Sequence, residues 1–417
     1  MLETKSVDNL THTLAGILVA EAVCQLRARR ALPSARFRRL AWAASVIGNN
    51  LPDADFAYVA ITPGKLGYLL HHRGHTHTVV VGLLLAALTF WVMRLFVRRK
   101  GGLSSMDLRW LGALTLFGPL LHMAMDASNV YGVHPFWPLY DGWVYGDSIF
   151  IIEPLFWCFA VPAVLFAARS LWLRIPLALL AGATLVLPWV TGLVARPMRF
   201  VIATLLVATF AVLWRRGATA RVVVGIGGSA VVFATFVAGG ALARRQLATA
   251  VTQRFGDETV RDLVLSPFPG SPECWTAIAV TTTPRDVMVL RRAVVAALPG
   301  VHAANACPSL PDAITAPLSR VEAADSAAVA WRGEFRARRE ALAALDETSC
   351  HAAAFFRFAR VPFWISEPGR LIVGDLRFDN QRGMGFAELQ VPQPEAACPP
   401  HVPPWTPPRS DLLAPAK

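Results

Sequence analysis

Four imidazoles fall within seven residues at His71-His72-Arg73-Gly74-His75-Thr76-His77, directly before a long apolar run. Seven of the ten histidines lie between His12 and His134 and are interleaved with carboxylates: His12, Asp53-Ala54-Asp55, the histidine cluster, then His122-x-x-x-Asp126. Imidazole and carboxylate are the ordinary ligands of zinc and related divalent ions. Gathering several of them in an apolar chain is costly unless something binds them. His122 and Asp126 are four apart, so a helix presents both on one face, where they could share a metal or simply hydrogen-bond. Asp53 and Asp55 follow Pro52, which presets a turn; the pair could bridge a cation or form a solvated helix end. His72 and His77 are five apart, off register for one helical face, which fits one ligand from a turn and one from the first helical turn after it. Gly74 permits that turn, Thr76 is suited to an N-cap, and the planar fork of Arg73 suits a phosphate or carboxylate. His71 and His75 read as supporting or pocket-lining residues. Asn129, Tyr131, Gly132, Pro135, Trp137 and Pro138 read as a pocket wall or as an interfacial loop with aromatic anchors.

The elements that must position these groups are membrane helices. The chain has 417 residues, 54% of them hydrophobic and 16% charged, which argues against a soluble enzyme. Segments at 10–26, 38–61, 76–97, 107–126, 148–168, 171–194, 199–214 and 221–243 reach or approach the roughly 20 residues that cross a bilayer. The second is interrupted by Gly48-Asn49-Asn50 and Pro52-Asp53-Ala54-Asp55, so a half-helix and a turn are expected there. No signal peptide is expected. Arginines crowd the loop after the first segment (Arg27, Arg29, Arg30, Arg36, Arg38, Arg39) and the loop after the third (Arg94, Arg98, Arg99, with Lys100), whereas residues 127–147 carry no Lys or Arg. The positive-inside bias puts the arginine loops in the cytoplasm. Alternating crossings then bring His12, Asp53, Asp55, His72, His77, His122, Asp126, Asp147 and Glu153 to one opposite, periplasmic face of a bacterial inner membrane. The net charge of +12 is in good part this topology signal, and nucleic acid is not an expected partner.

The expected fold is an all-α polytopic membrane domain of about eight spanning or half-spanning helices over 1–244, then a small α+β or β-rich extramembrane domain over 245–398. Short runs at 275–282, 370–378 and 385–391 read as strands and 332–347 as a helix. The proline-rich stretch 399–417 reads as a disordered tail. Cys274, Cys307, Cys350 and Cys398 are confined to the second domain, which predicts two disulfides with three possible pairings in an oxidising compartment.

Leu51-Pro52-Asp53-Ala54-Asp55, His72-Arg73-Gly74-His75-Thr76-His77 and His122-Met123-Ala124-Met125-Asp126, in that order, resemble the membrane-bound, metal-dependent hydrolase family of bacterial inner-membrane proteins, some of them described as LexA-regulated. The resemblance covers roughly residues 8–160. Thr78 stands where that family commonly has Ser. The order of histidines and aspartates is also similar to zinc-dependent phospholipase C, although the terminal His-x-x-x-Glu of that enzyme is not evident here.

The resemblance implies hydrolysis of a phosphoester, lipid or cell-envelope substrate by a water activated on one or two divalent ions, zinc foremost. It implies His12, Asp53, His72, His77, His122 and Asp126 as ligands, Asp55 as a bridging ligand or general base, and Arg73 as the grip on substrate or transition-state charge. A metal-binding transporter and a non-catalytic anchor are the rival readings. A transport site would sit nearer the membrane midplane, in broken helices of paired repeats.

Overall fold

The computed structural model describes residues 3–308, 317–379, 384–394 and 397–414. Among the described residues, nine α-helices precede the first strand: α1 (Glu3–Ala28), α2 (Ala35–Asn50), the short α3 (Gly64–His71), α4 (Val79–Arg99), α5 (Ser105–Ala127), α6 (Pro154–Ala167), α7 (Leu171–Val190), α8 (Arg196–Leu213) and α9 (Ala218–Arg254). By length and apolarity α4, α7, α8 and α9 qualify as membrane spans, and α6 is a shorter apolar helix. Their outward residues are large and bare, among them Leu84, Trp91, Trp172 and Trp189. Such a surface suits a hydrocarbon solvent.

The second interrupted segment breaks where its sequence breaks. α2 stops at Asn50, and Pro52 opens a 3₁₀ turn over Pro52–Ala57. α4 is capped by Thr78, whose hydroxyl accepts from Val81 N at 3.3 Å. The cap is therefore Thr78 and not Thr76. Ser and Thr both cap helices, so Thr78 keeps the hydroxyl that Ser would supply.

α2 and α5 pack unusually closely. A Cβ on Gly48 would come within 2.7 Å of the Thr115 carbonyl oxygen, and one on Gly118 would run into the backbone of Gly48 and Asn49. Small residues let the two backbones approach this closely, and Phe37, Ala41, Leu111 and Leu114 are buried beside them. At the end remote from the histidines, arginines tie neighbouring elements together. Arg27 Nε donates to Asp107 at 2.9 Å, Arg36 Nη1 to the Gly102 carbonyl at 3.0 Å, and Arg38 to Glu21 and the Ala167 carbonyl, each at 2.7 Å.

α9 continues beyond the apolar stretch and leads into an antiparallel sheet in the order β1 (Thr259–Phe268), β2 (Ser271–Thr282), β3 (Val287–Ala296) and β4 (Val329–Arg338). Two small helices follow, α10 (Arg339–Thr348) and α11 (Cys350–Phe356), then a second sheet of β5 (Pro362–Glu367), β6 (Arg370–Asp375) and β7 (Glu388–Val391), and the short α12 (Ser410–Leu413). The helix expected over 332–347 is thus half strand. Residues up to Arg338 pair with β3 and only Arg339–Thr348 is helical, because the edge of an existing sheet outweighs local helix preference.

Cys274 pairs with Cys307 and Cys350 with Cys398, while Cys24 and Cys158 are free and buried. The disordered tail expected from its prolines is a correction: the chain is placed through residue 414. Trp405 is fully buried and its indole N–H donates to the Leu70 carbonyl at 3.0 Å. Residues 415–417 of that expectation lie outside the described residues.

The two parts share cores and polar contacts. Ala243, Leu247 and Val251 of α9 pack with Trp275, Ala277 and Trp331. Arg360 Nη1 and Nη2 reach Asp147 at 2.7 and 3.0 Å, and Arg360 Nε reaches Asp262 at 2.8 Å. Burial would raise the Asp262 carboxyl, but Arg360 and Arg409 beside it hold it below the usual range. Glu153 accepts from Gly270 N at 3.0 Å. Asp147 and Glu153, expected on the histidine face, therefore dock the second domain.

Replacing Gly118 by Ala should force α2 and α5 apart. We expect a loss of about 1–3 kcal/mol in unfolding free energy, the usual cost of overpacking. Thermal unfolding in detergent would measure it, and an unchanged melting temperature would contradict the close packing.

Candidate functional site

The histidine face is built where four elements end together. α1 brings His12, the 3₁₀ turn after α2 brings Asp53 and Asp55, the loop between α3 and α4 brings His72, Arg73 and His77, and the end of α5 brings His122 and Asp126. The close α2–α5 packing sets the first contact. His122 Nδ1 lies 2.7 Å from the Asn49 carbonyl oxygen, while the Asn49 side-chain amide donates to the His12 carbonyl. Asn49, with no exposed surface, thus joins α1, α2 and α5.

A carbonyl can only accept, so Nδ1 of His122 carries the hydrogen and Nε2 presents a lone pair. That Nε2 lies 3.2 Å from His77 Nε2. Both nitrogens face the same carboxylates: Asp126 Oδ2 at 3.3 Å from His77 and 3.4 Å from His122, and Asp53 Oδ1 at 3.5 and 3.6 Å. His12 completes the group, its Nε2 3.3 Å from Asp126 Oδ1 and its ring stacked on His122 with centroids 3.9 Å apart. Three sets of ligand atoms each fall within 4.8 Å of one another: His12, His122 and Asp126; Asp53, His77 and His122; Asp53, Asp55 and His72. All six sequence-derived ligand candidates are thus brought together, and Asp55 with them.

Asp55 stands behind the imidazoles. It has no exposed surface. Its Oδ1 lies 3.2 Å from His72 Nδ1, and its Oδ2 lies 3.1 Å from His77 Nδ1 and accepts from Arg73 N at 2.9 Å. A carboxylate on the far nitrogen of a ligating imidazole fixes ring orientation and tautomer.

Arg73 is held by the protein's own acceptors. Its backbone is left-handed, φ 61°, which is uncommon for a side-chain-bearing residue. Its guanidinium is buried and committed: Nε lies 3.1 Å from Asp126 Oδ2, Nη1 donates to Asn129 Oδ1 at 2.9 Å and to the Asp126 carbonyl at 3.3 Å, and the plane covers Tyr131 at 4.9 Å. Arg73 anchors the loop to the end of α5 through these contacts.

His71, His75 and His134 pack around the site. His71 Nε2 lies 2.8 Å from Thr62 Oγ1, which donates to the Pro400 carbonyl. His134 is stacked on Trp405, and His75 packs against Trp137 and Trp405. Sequence reasoning missed Asn49 and Trp405. An amide in an otherwise apolar segment, just before the Pro52 turn, is the signal that could have found Asn49. Trp405 had no such signal, because its proline-rich surroundings resemble an unfolded linker.

Residues 7–222, just over half of the chain, match the YdjM inner membrane protein family. The chain belongs to that family. It is an inner-membrane protein, as the resemblance read from its motifs implies at that level. The sheet domain lies outside the matched residues. No curated protein and no solved structure matches the chain.

Exchanging Arg73 for Lys should keep one charge and lose the fork that spans Asp126 and Asn129. We expect a loss of about 1–3 kcal/mol in unfolding free energy from unmet buried acceptors. An arginine that merely faced substrate would leave the melting temperature unchanged, so thermal unfolding of R73K distinguishes the two roles.

Proposed function

We propose that this inner-membrane protein is a metal-dependent hydrolase that cleaves a phosphoester or ester of a lipid or cell-envelope substrate with a metal-activated water. The observation that carries the reading is the pair of facing Nε2 atoms on His77 and His122, 3.2 Å apart. With Nδ1 of His122 spent on Asn49 and Nδ1 of His77 directed at Asp55, both Nε2 atoms aim lone pairs at one place. Asp53 and Asp126 aim oxygens at the same place. Such a set repels itself unless a proton or a cation is shared among its members. Mixed nitrogen and oxygen donors fit zinc or a similar divalent ion, and the overlapping triads have room for one or two.

In this reading His12, Asp53, His77, His122 and Asp126 hold the metal. When bound, the ion would acidify a water and polarise the group under attack. Asp53 and His72 form the accessible side, their side chains 9% and 8% exposed against none for His77 and His122. Asp55 and the flanking ring of Phe56 orient His72. We assign His72 to move the proton, although its type and its place beside Asp53 also suit a ligand. The water oxygen bonds to the attacked carbon or phosphorus, the bond to the leaving oxygen breaks, and the proton reaches that oxygen by way of His72. Asp55 then acts by positioning rather than as general base.

The arginine loops and the two disulfides support a cytoplasmic arginine face and a periplasmic site and sheet domain. A cysteine placed at position 140 should react with an impermeant maleimide in intact spheroplasts. Labelling only after permeabilisation would reverse the orientation.

Elemental analysis of purified protein should find at least one divalent ion per chain, lost in His77→Ala and Asp126→Ala. His72→Gln should retain the ion and melting temperature while turnover falls by about 10²–10⁴-fold. Unchanged metal content in the first two variants would defeat the metal assignment. Joint loss of metal and turnover in the third would make His72 a ligand.

A further inference from the structure

A cavity of about 390 Å³ lies between α1, α5, α6 and α9. That is within the usual range of ligand pockets, roughly 300–1,000 Å³. Its walls are almost wholly apolar, with Leu18 of α1, Leu121 of α5, Phe156 and Ala160 of α6, and Phe233 of α9. The polar lining includes His12 and Asp126 of the site, with Thr11 and Asn129 beside them in sequence or contact, and elsewhere Glu153 and Ser229. Thr11 and Val19, both on the cavity wall, bound a length of about 12 Å along α1 at 1.5 Å per residue. The α9 wall is not closed off from the membrane surface. Ile226 and Phe233, seven residues apart and so on one face of the helix, remain 39% and 42% exposed.

An apolar channel with ligating side chains at one end matches an amphiphile. A small soluble substrate would leave the walls wet and unused, whereas a hydrocarbon chain removes them from water and places its head group beside His12 and Asp126. We propose that this cavity seats one hydrocarbon chain of the substrate. The protein then acts on a long-chain membrane amphiphile that enters from the bilayer past the exposed face of α9, with the scissile bond next to the head group. The cleavage rests on the hydrolase reading above; the seating of the chain does not.

Chain seating is testable without turnover. The full-length protein is reconstituted in vesicles of phosphatidylethanolamine and phosphatidylglycerol that carry a phosphatidylglycerol with a diazirine on its acyl chain. A parallel set carries a diazirine-bearing isoprenoid phosphate. After photolysis, labelled peptides should concentrate on the cavity walls of α1, α5 and α9, and the stronger of the two arms identifies an acyl or an isoprenoid chain. Ala15→Phe and Ala230→Trp, which fill the cavity from two helices, should each cut that labelling by about tenfold. Val231→Trp, on an exposed position of α9 beside the cavity wall, should leave it intact.

Labelling spread evenly over the bare faces of α4 and α7, or unaffected by both filling substitutions, would overturn the inference. The wild-type label distribution decides the matter even if a filled variant fails to fold. Absent metal or turnover with cavity labelling intact would defeat the hydrolase reading alone. Lipid turnover that survives with no cavity labelling would defeat this inference alone.

Discussion

A carboxylate with no exposed surface organises the histidine face. Asp55 must find donors where water cannot serve, because an unpaired buried charge is prohibitively costly. It finds them on His72, on His77 and on the backbone of Arg73. Those three partners span the loop between α3 and α4, so one side chain determines the path of the loop that carries two of the four imidazoles of the site. The left-handed backbone at Arg73 persists because Asp55 holds its N–H while Asp126 and Asn129 hold its guanidinium. Removing the Asp55 carboxylate would strand several buried donors at once, which makes the arrangement cooperative.

The loop also needs a frame that does not yield. Gly48 and Gly118 let α2 and α5 approach until the end of one helix supplies a carbonyl to an imidazole of the other. The orientation of His122 is therefore a consequence of helix packing two turns and less away, and not of a local motif. At the opposite end the arginines fasten the same helices through carbonyls and carboxylates. The arginines of these loops thus brace the helices they flank.

Much of this was legible in the sequence, for physical reasons. The break after α2 was readable because Pro52 cannot continue a helix that needs its N–H. The convergence of His12, Asp53, His72, His77, His122 and Asp126 followed from alternating crossings, since helix ends of like parity share a face. The second domain's strands were partly visible in apolar runs, but β4 was read as helix because its partner β3 lies more than thirty residues earlier and leaves no local trace. The partners of Arg73 were hidden for a related reason. Its chemistry suits an anion, and only the fold reveals that Asp126 and Asn129 are the partners it meets. The ordered stretch around Trp405 escaped because composition describes how a segment behaves alone, not what it docks against.

That stretch has a consequence for the order of assembly. Trp405 packs against His75 and His134 and bonds to Leu70, yet it follows every membrane helix and both sheets in the chain. A ribosome makes the cover long after it has made what is covered. Until the sheet domain has folded and delivered its last indole, the histidine loop lacks that wall, and the interval is a window during which solutes reach the loop from a side that is later shut. Maturation of the site is in this sense timed by the length of chain between Leu70 and Trp405.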